Sequence, residues 1–189
     1  MKNPTKITLL LSLLVSLIAI SSCSTNASLK KDLAGIMGRE VFLPVDLQAT
    51  FNGVDTVLTG FTDSRSKMVI YYDPAGCNSC VISRMYEWRA VIATSLGTLN
   101  RFNAIFIFAP KEEDVRDVRI SLMSAKLDYP VFLDLSGEFA ELNPDVATNG
   151  LFHRLLLDGD NRVLLVGNPV GNDALWELYK ETIREQLRD

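Results

Sequence analysis

Two cysteines, Cys77 and Cys80, stand three residues apart shortly after the apolar run 68–72. That run, Met-Val-Ile-Tyr-Tyr, is typical of a buried strand, and the apolar spacing that follows predicts one long helix over residues 77–92. The two thiols are therefore expected between the end of a strand and the start of a helix. No other feature of the sequence restricts the possible folds of the chain as strongly. The spacing and position of the two thiols predict a redox-active pair.

The first 22 residues predict an export signal. Lys2 and Lys6 precede an uncharged run of roughly 16 residues, which is shorter than the about 20 residues of a membrane-spanning helix. The run ends in Ile-Ser-Ser-Cys23, which resembles the lipobox of bacterial lipoproteins. We therefore expect cleavage of the signal peptide 1–22, a lipid on Cys23, and a cell-envelope protein anchored to a bacterial membrane and facing an extracytoplasmic space. A permanent membrane-spanning helix is the alternative.

The chain behind the signal predicts a single domain. Segment 23–39 combines a polar tether with the apolar spacing of a short helix, and residues 40–189 suffice for one domain with a hydrophobic core. Acidic residues outnumber basic ones by 23 to 19 over the whole chain, so no nucleic-acid partner is expected. An exported compartment would allow Cys77 and Cys80 to form a lasting disulfide.

The remaining pattern alternates strands and helices. Asn52 and Gly53 separate two strand-like stretches, 41–51 and 54–61, and so predict an N-terminal β-hairpin. Further strands are predicted over residues 68–72, 103–108, 130–133, 151–157 and 163–166. Helices are predicted over residues 77–92, 111–127 and 173–187, and a brief helical or irregular segment over residues 136–143.

This order of elements around Cys77-Asn-Ser-Cys80 resembles the thioredoxin-like fold. The late hairpin 155–163, Leu-Leu-Leu-Asp-Gly-Asp-Asn-Arg-Val, is similar to that of lipoprotein and periplasmic thiol-disulfide oxidoreductases, and residues 38–44 are similar to uncharacterised Bacteroidetes thioredoxin-like lipoproteins. The resemblance covers residues 40–189. It implies an α/β fold, a central mixed sheet flanked by helices and extended by the N-terminal hairpin. It also implies thiol-disulfide exchange, without a cofactor, with exported thiol or disulfide proteins or a membrane redox partner.

Helix-start chemistry assigns different roles to the two thiols. A cysteine at the first turn faces unpaired backbone N–H groups and the positive end of the helix dipole, which stabilise a thiolate. Cys77 is therefore expected to attack, and Cys80, on the same helix face, to resolve the mixed disulfide. Asn78 and Ser79 between them carry no charge, so oxidising, reducing and isomerising directions all stay open.

Two positions depart from the pattern of the family, and a third lies in the loop before Cys77. Phe152 stands where such enzymes place a cis-proline that holds an extended peptide substrate. Because a non-proline cis bond costs about 2.5–4 kcal/mol, the bond before Phe152 is expected to be trans and substrate handling to differ. Tyr71 replaces a buried acid that assists the resolving cysteine. Asp73 is expected to shape the loop before Cys77, or to exchange protons there.

His153, the single histidine, allows other readings of the pair. It is a candidate base, thiolate partner or third metal ligand beside Cys77 and Cys80. Two cysteines and one histidine are ligands that suit Cu(I). A copper-binding or copper-delivery module is therefore the second hypothesis. Strand alternation, however, turns His153 away from the thiols if Phe152 faces them. The third hypothesis is a non-enzymatic lipoprotein with a structural disulfide. A zinc ribbon lacks ligands, and covalent haem attachment would require a histidine in place of Val81.

Overall fold

The structure is a computed structural model that describes residues 29–188. The predicted signal peptide 1–22, the lipidation site Cys23 and the beginning of the tether lie outside the described residues. Residues 29–36 form a helix, α1, in agreement with the predicted short helix. None of the helices in the described range has both the length and the apolar character needed to cross a membrane.

A seven-stranded mixed sheet forms the centre of the chain from Gly38 onward. In chain order the strands are β1 (Gln48–Phe51), β2 (Val54–Asp55), β3 (Ser66–Tyr72), β4 (Phe102–Phe108), β5 (Val131–Leu133), β6 (Arg154–Leu157) and β7 (Val163–Val166). Their spatial order is β2-β1-β5-β4-β3-β6-β7. Strand β4 pairs in parallel with β3 and β5, whereas all other neighbours are antiparallel. The predicted α/β class with a central mixed sheet is confirmed.

The two central strands carry the core. Every residue of β3 and β4 is buried, which explains why both strands appear in the sequence as nearly continuous apolar runs rather than alternating ones. The pairing runs in register from Ser66 opposite Phe102 to Tyr72 opposite Phe108. The two strands therefore end side by side, and the chain leaves β3 for Cys77 at that end of the sheet.

Six further helices flank the sheet. They are α2 (Asn78–Ile82), α3 (Arg89–Gly97), α4 (Val115–Ala125), α5 (Glu138–Leu142), α6 (Pro144–Ala147) and α7 (Asp173–Gln186), joined by 3-10 turns at Met85–Trp88, Glu112–Asp114 and Gly150–Phe152. Trp88 packs edge-on against Phe106 of β4, with ring centroids 5.6 Å apart. Tyr179 and Ile183 of α7 belong to the same buried core.

The predicted N-terminal hairpin is present and extends the sheet. Asn52 and Gly53 both have positive φ, 49° and 75°, as a tight two-residue hairpin turn requires. A Cβ atom on Gly53 would collide with the backbone carbonyl oxygen of Arg119. The predicted strand lengths were wrong, since β2 has only two residues and residues 41–45 form no strand.

The single long helix predicted over residues 77–92 was also wrong. Helix α2 ends at Ile82, and α3 begins only after a turn and the 3-10 segment. The Ser83 hydroxyl donates a hydrogen bond to the Cys80 carbonyl at 2.8 Å, a local contact that competes with the helical ladder. Arg84 then adopts a non-helical conformation with φ −105°.

The predicted strand 151–157 begins three residues later than expected. Residues 150–152 form a 3-10 turn, in which the Asn149 side chain accepts a hydrogen bond from the Leu151 N–H at 3.1 Å. This side-chain contact offers the backbone an alternative to strand pairing. Strand β6 therefore starts at Arg154, immediately after His153.

A buried lysine connects β3 to the β6–β7 turn. Lys67 is 1% exposed, and its Nζ donates to Asn161 Oδ1 at 2.6 Å and to the Gly159 carbonyl at 3.3 Å. Burial lowers the pKa of Lys67, while the nearby carboxylates of Asp63 and Asp158 oppose that shift. The lysine is part of the internal structure of this edge of the sheet.

Candidate redox site

Cys77 and Cys80 form a disulfide at the start of α2, with Cα atoms 5.3 Å apart. Cys77 is the N-cap residue, and its Sγ accepts a hydrogen bond from the Cys80 N–H at 3.3 Å. Both cysteines are exposed to solvent. The disulfide is therefore accessible from outside, and Cys77 occupies the helix-start position that its sequence context predicts.

One face of Cys77 lines a cleft of about 170 Å³ at the end of β3. We call it the thiol cleft; its lining residues are Tyr71, Tyr72, Asp73, Gly76, Cys77, Asn78, Val81, His153 and Arg154. Sheet pairing brings its two walls together, because the Tyr71 N–H donates to the His153 carbonyl at 2.8 Å. The predicted site residues Asp73 and His153 thus share a cleft with Cys77.

Asp73 and His153 also face each other. His153 is 7% exposed, and its Nε2 lies 3.1 Å from the Ala147 carbonyl oxygen. A carbonyl only accepts, so Nε2 carries the hydrogen. The other ring nitrogen, Nδ1, is 3.7 Å from Asp73 Oδ2, while Asp73 Oδ1 accepts from the Ala75 N–H at 2.7 Å. Asp73 therefore both shapes the loop before Cys77 and places negative charge beside the imidazole.

Phe152 does not line the thiol cleft. Its side chain is 5% exposed and it ends the 3-10 turn that precedes His153. The bond before it is trans, like every peptide bond of the described chain. The position six residues before Asp158 of the late hairpin does lie next to the thiol cleft lining, since His153 follows it. The expected alternation, with Phe152 and His153 on opposite faces of a strand, does not apply, because residues 150–152 form a 3-10 turn.

Tyr71 is buried beside two carboxylates. Burial raises its pKa to about 12, and the charges of Asp134 and Asp73 add to the shift. Asp134, which the sequence reasoning missed, is itself 3% exposed and accepts backbone N–H bonds from Glu138 at 3.1 Å and Phe139 at 3.0 Å. An acidic residue shortly before a helix is the sequence signal that would have found it.

The other face of Cys77 lines a second cleft of about 140 Å³. It contains Asp114 and Asp117 from the beginning of the α4 region, and we call it the acidic cleft. A hydrogen bond of 3.2 Å between the hydroxyls of Ser121 and Ser79 links α4 to α2 nearby. Cys77 lines both clefts, whereas Cys80 lines neither. Of the two cysteines, Cys77 is therefore the one that borders both clefts.

A third cleft of about 140 Å³ adjoins the thiol cleft. The two share Tyr72, Val81 and Arg154, and the third cleft adds Arg84. We call it the arginine cleft. The sequence reasoning missed these residues because they belong to separate segments that only the tertiary fold brings together.

The described residues include no group of three or more histidine, cysteine, aspartate or glutamate side chains placed to hold a metal ion. Cys77 and Cys80 are joined to each other, and His153 is engaged by the Ala147 carbonyl. The copper ligand set considered from the sequence is thus not assembled in this disulfide form.

Comparison with solved structures identifies the fold. A Chlorobium tepidum protein provisionally described as a thiol:disulfide interchange protein DsbE matches with a TM-score of 0.54 and 16% identity over 78% of this chain and 97% of that one. The thioredoxin domain of a thiol-disulfide oxidoreductase from Bacteroides vulgatus matches at 0.52 and 16% over 78% and 97%. A Bacteroides thetaiotaomicron protein provisionally described as a protein disulfide isomerase matches at 0.52 and 16% over 81% and 91%.

No family profile and no curated protein matches the sequence. At this level of identity the structural likeness establishes the fold, and the predicted thioredoxin-like architecture is confirmed. The chain therefore has the fold of thioredoxin-like thiol-disulfide oxidoreductases, with the Cys77–Cys80 pair at disulfide distance.

Proposed function

We propose that the protein carries out thiol-disulfide exchange through Cys77 and Cys80 while a lipid on Cys23 holds it at a bacterial membrane, facing an extracytoplasmic space. Its partners would be exported thiol or disulfide proteins, or a membrane redox partner. The observation that carries the proposal is the solvent-exposed disulfide whose Cys77 lines two clefts. A disulfide that served only to stabilise the fold would gain little here, because the loop that it closes is very short.

In the reducing direction, the Cys77 thiolate attacks one sulfur of a substrate disulfide. A new S–S bond forms as the substrate bond breaks, and the leaving thiolate takes up a proton. Cys80 then loses its proton and attacks Cys77 Sγ, which frees the second substrate thiol and closes the Cys77–Cys80 disulfide. Two electrons pass from the pair to the substrate. In the opposite direction the closed disulfide oxidises a substrate dithiol by the same steps.

The surroundings of Cys77 support its role as the attacking thiol. The Cys80 N–H points at its sulfur, and a hydrogen bond of this kind strengthens when the acceptor is a thiolate. Asp73 and His153 line the same cleft as Cys77, and we assign them as candidate acceptors for the proton that a thiol releases. Phe152 would modulate substrate handling only indirectly, since it lies outside the cleft lining.

The exchange is tested by titrating the Cys77–Cys80 disulfide against glutathione or dithiothreitol buffers, with mass tags that count free thiols. We expect a reduction potential above about −300 mV, in the range of exchange proteins. A potential below that value, together with failure to reduce or oxidise any test disulfide, would leave a structural bridge as the explanation.

The anchor is tested separately. Cys23→Ser should remove the lipid and release the protein from the membrane fraction, whereas Cys80→Ser should stay membrane-bound. If Cys23→Ser also stayed in the membrane fraction, the apolar segment before it would itself be the anchor.

A further inference from the structure

Two arginines lie in the arginine cleft, which continues from the thiol cleft. Arg154, the first residue of β6, lines both clefts, and its guanidinium carbon is 5.2 Å from the centre of the Tyr72 ring. Arg84 enters from the turn that interrupts the helix after Cys80. Both positive charges influence Tyr72, where they oppose the rise in pKa that burial causes. The arginines thus share one cleft, and this cleft has three lining residues in common with the thiol cleft that Cys77 lines.

Neither arginine has a carboxylate partner within the described chain. The ion pairs there involve Arg39, Arg119, His153 and Lys180, but not Arg84 or Arg154. The Arg154 Nε is shielded from solvent and lacks a hydrogen-bond partner in residues 29–188. Tyr72 engages part of the Arg154 guanidinium, but the shielded Nε has no partner there, whereas a buried polar atom normally has one. The cleft therefore offers this donor and two positive charges that no carboxylate of the described chain pairs with.

The balance of charges in the cleft fits a singly charged carboxylate. Glu87 is the one acidic residue among the lining residues, against Arg84 and Arg154, so the lining carries one net positive charge. A guanidinium binds a carboxylate through two parallel N–H donors. The cleft of about 140 Å³ is a side-chain-sized space rather than a site for a large ligand.

The other cleft that Cys77 lines has the opposite charge. Asp114 and Asp117 line the acidic cleft and repel a carboxylate there. A substrate that carries a carboxylate near its reacting sulfur is therefore expected to lie across Cys77 in one orientation, with the carboxylate directed toward Arg154.

We propose that the arginine cleft binds a carboxylate of the thiol or disulfide substrate, so that exchange at Cys77 favours substrates with a carboxylate close to the reacting sulfur. The inference rests on the exchange function proposed above. The carboxylate takes no part in the electron transfer; Arg84 and Arg154 are specificity-determining residues that raise the occupancy of the productive complex. The carboxylate could belong to an acidic residue beside a protein cysteine or to a small thiol such as glutathione.

Two matched pairs of disulfides test the proposal on the reduced full-length protein. The first pair is a disulfide-bonded peptide with glutamate beside its cysteine and the same peptide with glutamine. The second is oxidised glutathione and its dimethyl ester at the glycine carboxylates. In at least one pair, we expect the member with the additional carboxylates to react about three- to tenfold faster than its partner, with the advantage reduced by high salt. The glutathione ester keeps its γ-glutamyl carboxylates, so that pair tests the glycine carboxylates alone.

Arginine variants locate the effect. Arg154→Gln and Arg84→Gln should each lower the ratio of the rate with the acid to the rate with its partner, and Arg154→Lys should restore part of that ratio. Arg65→Gln is the matched control, because it removes the same charge from an exposed arginine before the other end of β3. Arg84 is exposed, so its substitution tests the idea even if Arg154→Gln fails to fold.

The possible results separate the two proposals. A preference for the acidic peptide alone would indicate protein substrates, and a preference for glutathione alone would indicate a small thiol. Equal rates for acid and neutral partners, or a preference that survives in both arginine variants, would overturn the inference while leaving exchange at Cys77 intact. Absence of exchange with all four disulfides would instead overturn the proposed function.

Discussion

Alkaline pH should destabilise the protein through its buried tyrosines, and Tyr129 allows this to be tested at one position. Its side chain is 2% exposed, its hydroxyl lies 2.6 Å from Ser95 Oγ, and it accepts the Ala104 N–H at 3.0 Å. Burial raises the pKa of Tyr129 from 10.0 to about 12, against the opposing effect of these hydrogen bonds. The folded state therefore retains a proton that the unfolded chain releases above about pH 10.

The sign and size of the effect follow from the difference in bound protons. Between about pH 9 and about pH 11 the unfolded chain binds fewer protons than the folded one, so the free energy of unfolding falls as pH rises. For a shift from 10.0 to about 12, the loss attributable to Tyr129 over this interval is about 1.3 kcal/mol. Other tyrosines with raised pKa values add to the total loss of unfolding free energy, but this part of the loss is the same in the wild type and in Tyr129→Phe.

Urea denaturation at several pH values, followed by tryptophan fluorescence, measures this contribution. Tyr129→Phe should lose about 1.3 kcal/mol less than the wild type over the interval, whatever constant cost the missing hydrogen bonds impose. Tyr86→Phe is the control, because Tyr86 is 63% exposed, and it should follow the wild type. If Tyr129→Phe loses as much stability as the wild type, the phenol is not held protonated by the fold and the reasoning is wrong.

Three further substitutions test the internal structure by urea denaturation. Lys67→Ala leaves the acceptors in the β6–β7 turn without their donor and should cost about 1–3 kcal/mol, against less than about 0.5 kcal/mol for exposed Lys111→Ala. Gly53→Ala places a Cβ against a backbone carbonyl at positive φ and should cost more than about 1 kcal/mol, whereas Gly150→Ala, with open space around it, should cost less. Asp134→Ala removes the acceptor of two backbone N–H groups and should cost about 2–4 kcal/mol; a loss within about 0.5 kcal/mol would mean that water replaces it.

The fold could be predicted where local residues determine local structure. The apolar run 68–72 specifies a strand and the Asn52–Gly53 pair specifies a turn, each through a short stretch of sequence, and both elements were found where expected. The break after Ile82 and the 3-10 turn before His153 could not be predicted in the same way. There, side-chain hydrogen bonds of Ser83 and Asn149 compete with regular helix or strand pairing, and the apolar pattern does not record which one prevails.

The candidate site could be predicted only in part. Its thiols are visible in the sequence because their spacing is itself the signal, and Asp73 is close enough in sequence to be included. The arginine and acidic clefts were not predicted, since Arg154 and Asp117 approach Cys77 only through sheet pairing and helix packing. Residues that are far from the cysteines in sequence and belong to no recognisable motif give no indication in the sequence that they lie near Cys77.

The roles of the two thiols are the centre of the account, and the rate at which each one attacks a disulfide tests them most directly. In a Cys23→Ser background, Cys80→Ser and Cys77→Ser each retain one thiol, which is allowed to react with a small aromatic disulfide. Release of the aromatic thiol is followed by absorbance near neutral pH. Because the Cys77 sulfur receives the backbone N–H and Cys77 is the cysteine that lines both clefts, the Cys80→Ser protein should react roughly tenfold faster or more than the Cys77→Ser protein. Equal rates, or faster attack by Cys80, would contradict the assignment of Cys77 as the nucleophile.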